Sequence, residues 1–163
     1  MIVVADTSPI NYLVLIGHVD LLPNFYRRIV VPLSVWEELR DSCTPDAVRA
    51  WLSWPPKWVE RRRPQGKPDP TLDFLDRGER EAIGLASELS ADRLIVDETL
   101  AREAAVRLGL SVIGTLGVLR NGARAGRLDL PEALAALQRT SFYVGQELIL
   151  SLLEEDAERR KGK

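Results

Sequence analysis

The sequence predicts an α/β fold, a parallel sheet flanked by helices, and three observations carry that prediction. Short continuous apolar runs, such as Ile2-Val3-Val4-Ala5 and Leu94-Ile95-Val96, have the pattern of strands buried on both faces. Between them lie segments of helical periodicity, with Ala82, Leu85, Ala86 and Leu89 on one face. The two kinds alternate along the chain, which is the order that builds β–α–β units.

The elements follow in order. The first strand covers Ile2-Val3-Val4-Ala5 and stops at Asp6-Thr7-Ser8-Pro9, where Ser8 suits a helix cap and Pro9 a first helical position. The helix runs through Tyr12, Leu13, Leu15 and Ile16 to Gly17, a good terminator. A short helix is predicted over 19–26, a strand over 28–31, and helices over 34–39 and 45–51. Residues 53–70 hold five prolines, two tryptophans and Arg61-Arg62-Arg63. This reads as an irregular, mobile excursion with one strand near Val59. From Arg77 a helix is predicted through Leu89, then the strand Leu94-Ile95-Val96 ending at Asp97. A helix over 100–108 ends at Gly109, and a strand covers 111–113. Helices over 116–123, 131–138 and 144–153 close the chain, leaving a tail of low complexity from Glu154.

At 163 residues the chain fits one sizeable core. Its 45% apolar and 28% charged residues are those of an ordinary globular protein, not of a disordered or fibrous one. Twenty-two basic against 24 acidic residues leave a net charge of −2, which neither argues for nucleic acid nor excludes it. The single cysteine, Cys43, excludes an intramolecular disulfide and a thiolate metal cluster, so a reducing, cytoplasmic setting is expected. The apolar stretch 10–16 is too short to cross a bilayer, and no membrane association is expected. With His18 the only histidine, a catalytic metal would depend on carboxylates.

Asp6 and Asp97 each follow a buried-strand pattern and precede a helix. In open parallel sheets ligands gather beyond the carboxyl ends of the strands, so both acids should emerge on one edge. Two carboxylates in a cleft repel unless a proton or a cation neutralises them. A hard divalent ion with oxygen ligands resolves the conflict, activates water and stabilises charge on a phosphodiester. For Asp97 the bland alternative is a helix cap. Asp6 is harder to explain that way, with Ser8 already placed for the cap. Glu37 and Glu38 near one helix, and Glu79 and Glu81 near another, also suit surface solvation. Glu79 and Glu81 cannot point the same way, and periodicity does not choose between them.

Taken together, these segments resemble the PIN-domain family, in particular its small prokaryotic branch close to toxin–antitoxin toxins. The resemblance is carried by Val3-Val4-Ala5-Asp6-Thr7-Ser8-Pro9, by Val31-Pro32 through Val35 to Glu38-Leu39, and by Leu75-Asp76-Arg77-Gly78-Glu79-Arg80-Glu81-Ala82-Ile83. It continues with Ile95-Val96-Asp97-Glu98 and Val112-Ile113-Gly114-Thr115-Leu116-Gly117. It covers most of residues 1–125 and implies a three-layer α/β/α domain with a central parallel sheet of four to five strands. Residues 126–163 are expected to form helices packed on that domain or on a partner.

The resemblance implies a magnesium- or manganese-dependent endoribonuclease, the toxin of a toxin–antitoxin pair. Its catalytic acids would be Asp6, Glu38, Glu81 and Asp97, with Asp6, Glu81 and Asp97 on the metal. Thr7, Ser8, Glu79, Glu98 and Arg102 would support them. Glu81 stands where the family usually has an aspartate, which moves the carboxylate outward by one methylene. The implied partners are an RNA substrate, an antitoxin protein and a second copy of the chain. The alternative is a catalytically degenerate PIN-like module that binds RNA or protein without cutting.

Arg61, Arg62 and Arg63 beside Trp54 and Trp58 could track phosphates, although a solvated loop edge or a subunit contact is favoured. Tyr12 and Tyr26 are expected in the core or an interface, and the stripe Leu148, Ile149, Leu152 and Leu153 on the domain or another chain. A phosphatase using Asp6 as nucleophile is disfavoured, because no second aspartate follows two residues later.

Overall fold

The computed structural model describes residues 1–162. Its centre is one five-stranded, all-parallel sheet in the order β3-β2-β1-β4-β5. The strands are β1 (Ile2–Ala5), β2 (Arg28–Pro32), β3 (Val59–Arg62), β4 (Arg93–Ile95) and β5 (Val112–Ile113). Side chains alternate across each strand, and the two faces feed two cores. Val3, Ala5, Ile29, Val31 and Ile95 join one apolar cluster, whereas Val4, Val30, Leu94 and Val96 join the other. Burial on both faces explains why these strands read as continuous apolar runs.

The larger core packs α1 (Thr7–Leu15), α2 (Leu21–Phe25), α3 (Leu33–Leu39) and α4 (Asp46–Ser53). It also takes α7 (Thr115–Arg124), α8 (Leu130–Gln138) and α9 (Gln146–Lys161). The smaller core packs α5 (Arg77–Glu88), α6 (Thr99–Arg107) and the 3-10 turn Pro70–Leu72. The result is the three-layer α/β/α arrangement. Leu134, Leu137, Ile149 and Leu152 lie in the same cluster as Val3 and Ile10, so the C-terminal helices share the core of the first 125 residues.

Several expectations need correction. α1 begins at Thr7 with Asp6 in the cap position, so Ser8 lies inside the first turn and caps nothing. Its C-terminal end is as expected: Gly17 has φ +77, and the Gly17 and His18 N–H groups return to Val14 and Leu13. The strand expected near Val59 is present as β3, and it extends to take in Arg61 and Arg62 at the sheet edge. α9 runs through the segment read as a tail, tied to α7 by Glu155, whose carboxylate pairs with Arg120 at 2.9 Å and with Arg124. Tyr26 is buried, but Tyr12 is only half-buried and faces a cleft. No described helix is long and apolar enough to cross a membrane.

Candidate active site

β1 and β4 are neighbours, so the residues that follow them leave the sheet side by side. The Asp6 N–H donates to the Ile95 carbonyl at 2.9 Å, which extends the ladder by one residue and fixes where the Asp6 side chain starts. The Val96 N–H donates to Ile113 at 2.9 Å, and Asp97 follows at the same edge. Both acids therefore border the cleft beyond the carboxyl ends of the strands.

Asp97 is held tightly. Its Oδ1 accepts the Thr115 N–H at 2.7 Å, and its Oδ2 accepts the Thr115 hydroxyl at 2.7 Å and the Ser8 hydroxyl at 3.1 Å. It thus caps α7, a helix distant in sequence, and not α6, which follows it directly. Gly114 makes this possible, because a β carbon there would stand 2.8 Å from Asp97 Oδ1 and 2.9 Å from Arg102 Nη1. Arg102 backs Asp97 in this way but lines a separate depression on α6.

Glu38, near the end of α3, accepts the Thr7 hydroxyl at 2.8 Å. It lies against the start of α5, where a β carbon on Gly78 would stand 3.0 Å from Glu38 Oε2 and 3.5 Å from Asp76 Oδ1. α5 opens with a reciprocal cap. The Glu79 N–H donates to Asp76 at 2.8 Å, and the Asp76 N–H donates to the Glu79 carboxylate at 3.2 Å. Both acids of this cap line the cleft, and Glu79 is buried.

Glu81 does not join them. Two residues on is a turn of roughly 200° around a helix, so Glu81 faces another groove and pairs with Arg77 at 3.2 Å. The place expected for Glu81 is taken by Glu79, and Asp76 is an addition. The spacing Asp76-x-x-Glu79, a capping-box signature, was the signal that could have found both. Glu98 lines the cleft, as do Thr7 and Ser8. The arginine run does not: Arg61 lies 5.1 Å from the centroid of the Trp36 ring, Arg62 pairs with Glu60 at 2.5 Å, and Arg63 lines the other groove. Phe142 and Tyr143, from the loop between α8 and α9, also border the cleft. Nothing in their sequence context marked them.

The cleft has a volume of about 550 Å³. Asp6, Glu38, Asp76, Glu79, Asp97 and Glu98 line it, and no lining residue among those described is basic. Asp6 is 5% exposed, and burial drives its pKa up to about 7. The Thr7 backbone N–H opposes the shift, while the charges of Asp76, Glu79 and Glu38 reinforce it. Glu79 is also pushed up, by burial and then by Asp76. Among the described residues no three acidic, histidine or cysteine side chains stand close enough to form a ready metal cluster. In kind, the donors nevertheless fit a hard divalent cation: all are oxygens, and the cleft supplies no other counter-charge.

A solved PilT N-terminus domain protein from the hyperthermophilic archaeon Sulfolobus solfataricus P2 is 21% identical, with a TM-score of 0.48 over 89% of this chain and 100% of its own. No curated protein matches the sequence. A family model described as PIN domain matches residues 2–158, nearly the whole chain. The chain therefore belongs to the PIN-domain family, whose members are generally nucleases.

Proposed function

We propose that this protein is a magnesium- or manganese-dependent endoribonuclease and acts as the toxin of a toxin–antitoxin pair. One observation carries the reading: six carboxylates line a single cleft at the carboxyl edge of the sheet with no basic residue among them. Such a cleft cannot approach a phosphodiester unless a cation offsets its charge. Asp6, Glu38, Glu79 and Asp97 are the residues that would hold that cation, with Asp76 beside them. When bound, the metal would activate water and stabilise charge on the scissile phosphate.

The chain's own groups do the rest. The Thr7 hydroxyl orients Glu38, the Ser8 and Thr115 hydroxyls orient Asp97, and the Asp76 N–H orients Glu79. With its pKa near 7, the Asp6 carboxyl can hold a proton when the cleft is empty. The test is cleavage of single-stranded RNA with Mg²⁺ or Mn²⁺. Asp6→Asn should lower the rate by at least ~100-fold while the fold is retained, in line with losing a group that acts on the transition state. Undiminished cleavage by Asp6→Asn would refute the assignment.

The toxin role, a cytoplasmic location and an antitoxin partner rest on resemblance to small PIN toxins. They are tested by growth arrest on expression and its relief by Asp6→Asn. Self-association draws support from the exposed Leu100, Val106 and Leu108 at α6, and sedimentation would detect it. A second reading, binding without cutting, is favoured by the lack of a ready three-ligand cluster among the described residues. Titration of Mn²⁺ by calorimetry separates the two, since only the nuclease requires a bound ion.

A further inference from the structure

The cleft has a second wall of different chemistry. Besides its acids it is lined by Tyr12, Phe142 and Tyr143, the last two on the loop 139–145. The loop is braced by Tyr12 and by a bond of its own. The Tyr12 and Ser141 hydroxyls share a hydrogen bond of 2.8 Å, and the Phe142 N–H donates to the Thr140 hydroxyl at 3.2 Å. The Phe142 ring meets the Tyr12 ring edge to face, with centroids 5.0 Å apart at 83°. Tyr143, the next residue, is 94% exposed and covers no part of the core. A braced loop thus brings an exposed aromatic ring to the lining of an acidic cleft.

Besides that wall, the described lining offers a polyanion only uncharged donors such as Asn11 and Thr99. Its carboxylates repel phosphates, and no arginine or lysine lines it among the described residues. A cation held by the carboxylates would offset their charge at the scissile phosphate; beyond that point, contacts to the bases supply affinity for a nucleic acid. A free ring stacks on any base face, and such contacts tolerate sequence. In a duplex the base faces are covered by their neighbours, so only an unpaired base can use the ring.

We propose that Tyr143, braced by Phe142 and Tyr12, is a positioning residue that stacks on one unpaired base of single-stranded RNA beside the scissile phosphodiester. The assignment deepens the nuclease reading, and its test is one of binding, so the two can fail separately. Short single-stranded RNAs carrying 2-aminopurine at successive positions are titrated into the full-length Asp6→Asn protein. One position should change its fluorescence on binding. Adding Tyr143→Ala should abolish that change and weaken binding by about tenfold, whereas Tyr143→Phe should keep both. An abasic site at the same position should cost the same factor, with no further loss from Tyr143→Ala. Equal affinity of the Tyr143→Ala protein, failure of Tyr143→Phe to preserve the signal, equal binding of the matching duplex, or no RNA binding at all would each overturn it. Absence of metal-dependent cleavage by the native chain would instead refute the nuclease reading and leave the stacking result standing.

Discussion

Asp6 concentrates the electrostatic cost of the site. Folded, it keeps its proton up to about pH 7; unfolded, it releases it near 3.8. Between those values the folded state binds the extra proton, so stability declines as pH rises through the window and levels off above it. At about 1.4 kcal/mol per pH unit, the cost at neutral pH is on the order of 2–4 kcal/mol without metal. Asp6→Asn removes it. In EDTA, the native chain should lose more stability than Asp6→Asn between pH 5 and pH 8, as read by urea unfolding. Parallel pH profiles for the two proteins would contradict this account. Mn²⁺ should raise the melting temperature of the native protein and leave that of Asp6→Asn nearly unchanged. Gly114 is a second sensitive point, with φ −104, where the constraint is space and not backbone strain. The β carbon of Gly114→Ala would push on both Asp97 and Arg102. Cleavage should drop by roughly 10- to 100-fold, the scale of a displaced catalytic group, while the circular dichroism spectrum is retained.

At the level of elements, what could be read in advance depended on whether the signal was local. Asp6 and Asp97 were legible because each follows a run of apolar β-branched residues, and a parallel sheet sends both to one edge. Glu38 came from the order of segments. Amphipathic spacing left Glu79 and Glu81 open, because it gives a helical face without its starting residue; the resemblance pointed to Glu81, and a shift of two positions puts Glu79 in the cleft and Glu81 outside it. The reciprocal cap of Asp76 and Glu79 sets that register in the structure. Ser8 was misread for a related reason: its hydroxyl goes to Asp97, 89 residues away, a partner no local rule anticipates. The far end of α5 yields a prediction of its own. α1 and α6 end on Gly17 and Gly109 with positive φ, but α5 ends on Ser90 at φ +49. The Ser90 and Ala91 N–H groups still return to Ser87 and Ala86, as in a glycine-terminated helix. Ser90→Gly should therefore stabilise the protein by about 0.5–1 kcal/mol, by relieving the left-handed conformation. Equilibrium urea unfolding measures it, and a destabilised variant would show that the serine side chain contributes more than its backbone costs.

Across the whole molecule, the C-terminal helices belong to the machinery through the core they complete. α8 and α9 pack on α7, the helix that Asp97 caps, and carry between them the loop that brings Phe142 and Tyr143 to the cleft. The placement of that loop was not legible in sequence, because it rests on Tyr12, 129 residues before Ser141. The amphipathic stripe around Ile149 was visible, but not whether it faced this domain or another chain. In the structure Ile149 and Leu152 are buried in the main cluster, while Leu148 and Leu150 are exposed. Asp156, buried to 4% exposure, pairs with Arg159 at 2.8 Å and Arg160 at 3.0 Å, and Arg160 reaches Asp129 before α8 at 3.4 Å. The helix is thus fixed by apolar burial, with ion pairs at its far end. Ile149→Ala should cost about 2–5 kcal/mol, the range for truncating a buried aliphatic side chain. Ending the chain after residue 145 should do more, since it uncovers the Leu134 and Leu137 side of the core and frees the loop that holds Tyr143. The shortened protein is expected to melt earlier and less sharply, to bind a hydrophobic dye, and to bind single-stranded RNA more weakly. If it melts as the full chain does and keeps its RNA affinity, α9 is an accessory, and the aromatic wall stands without it.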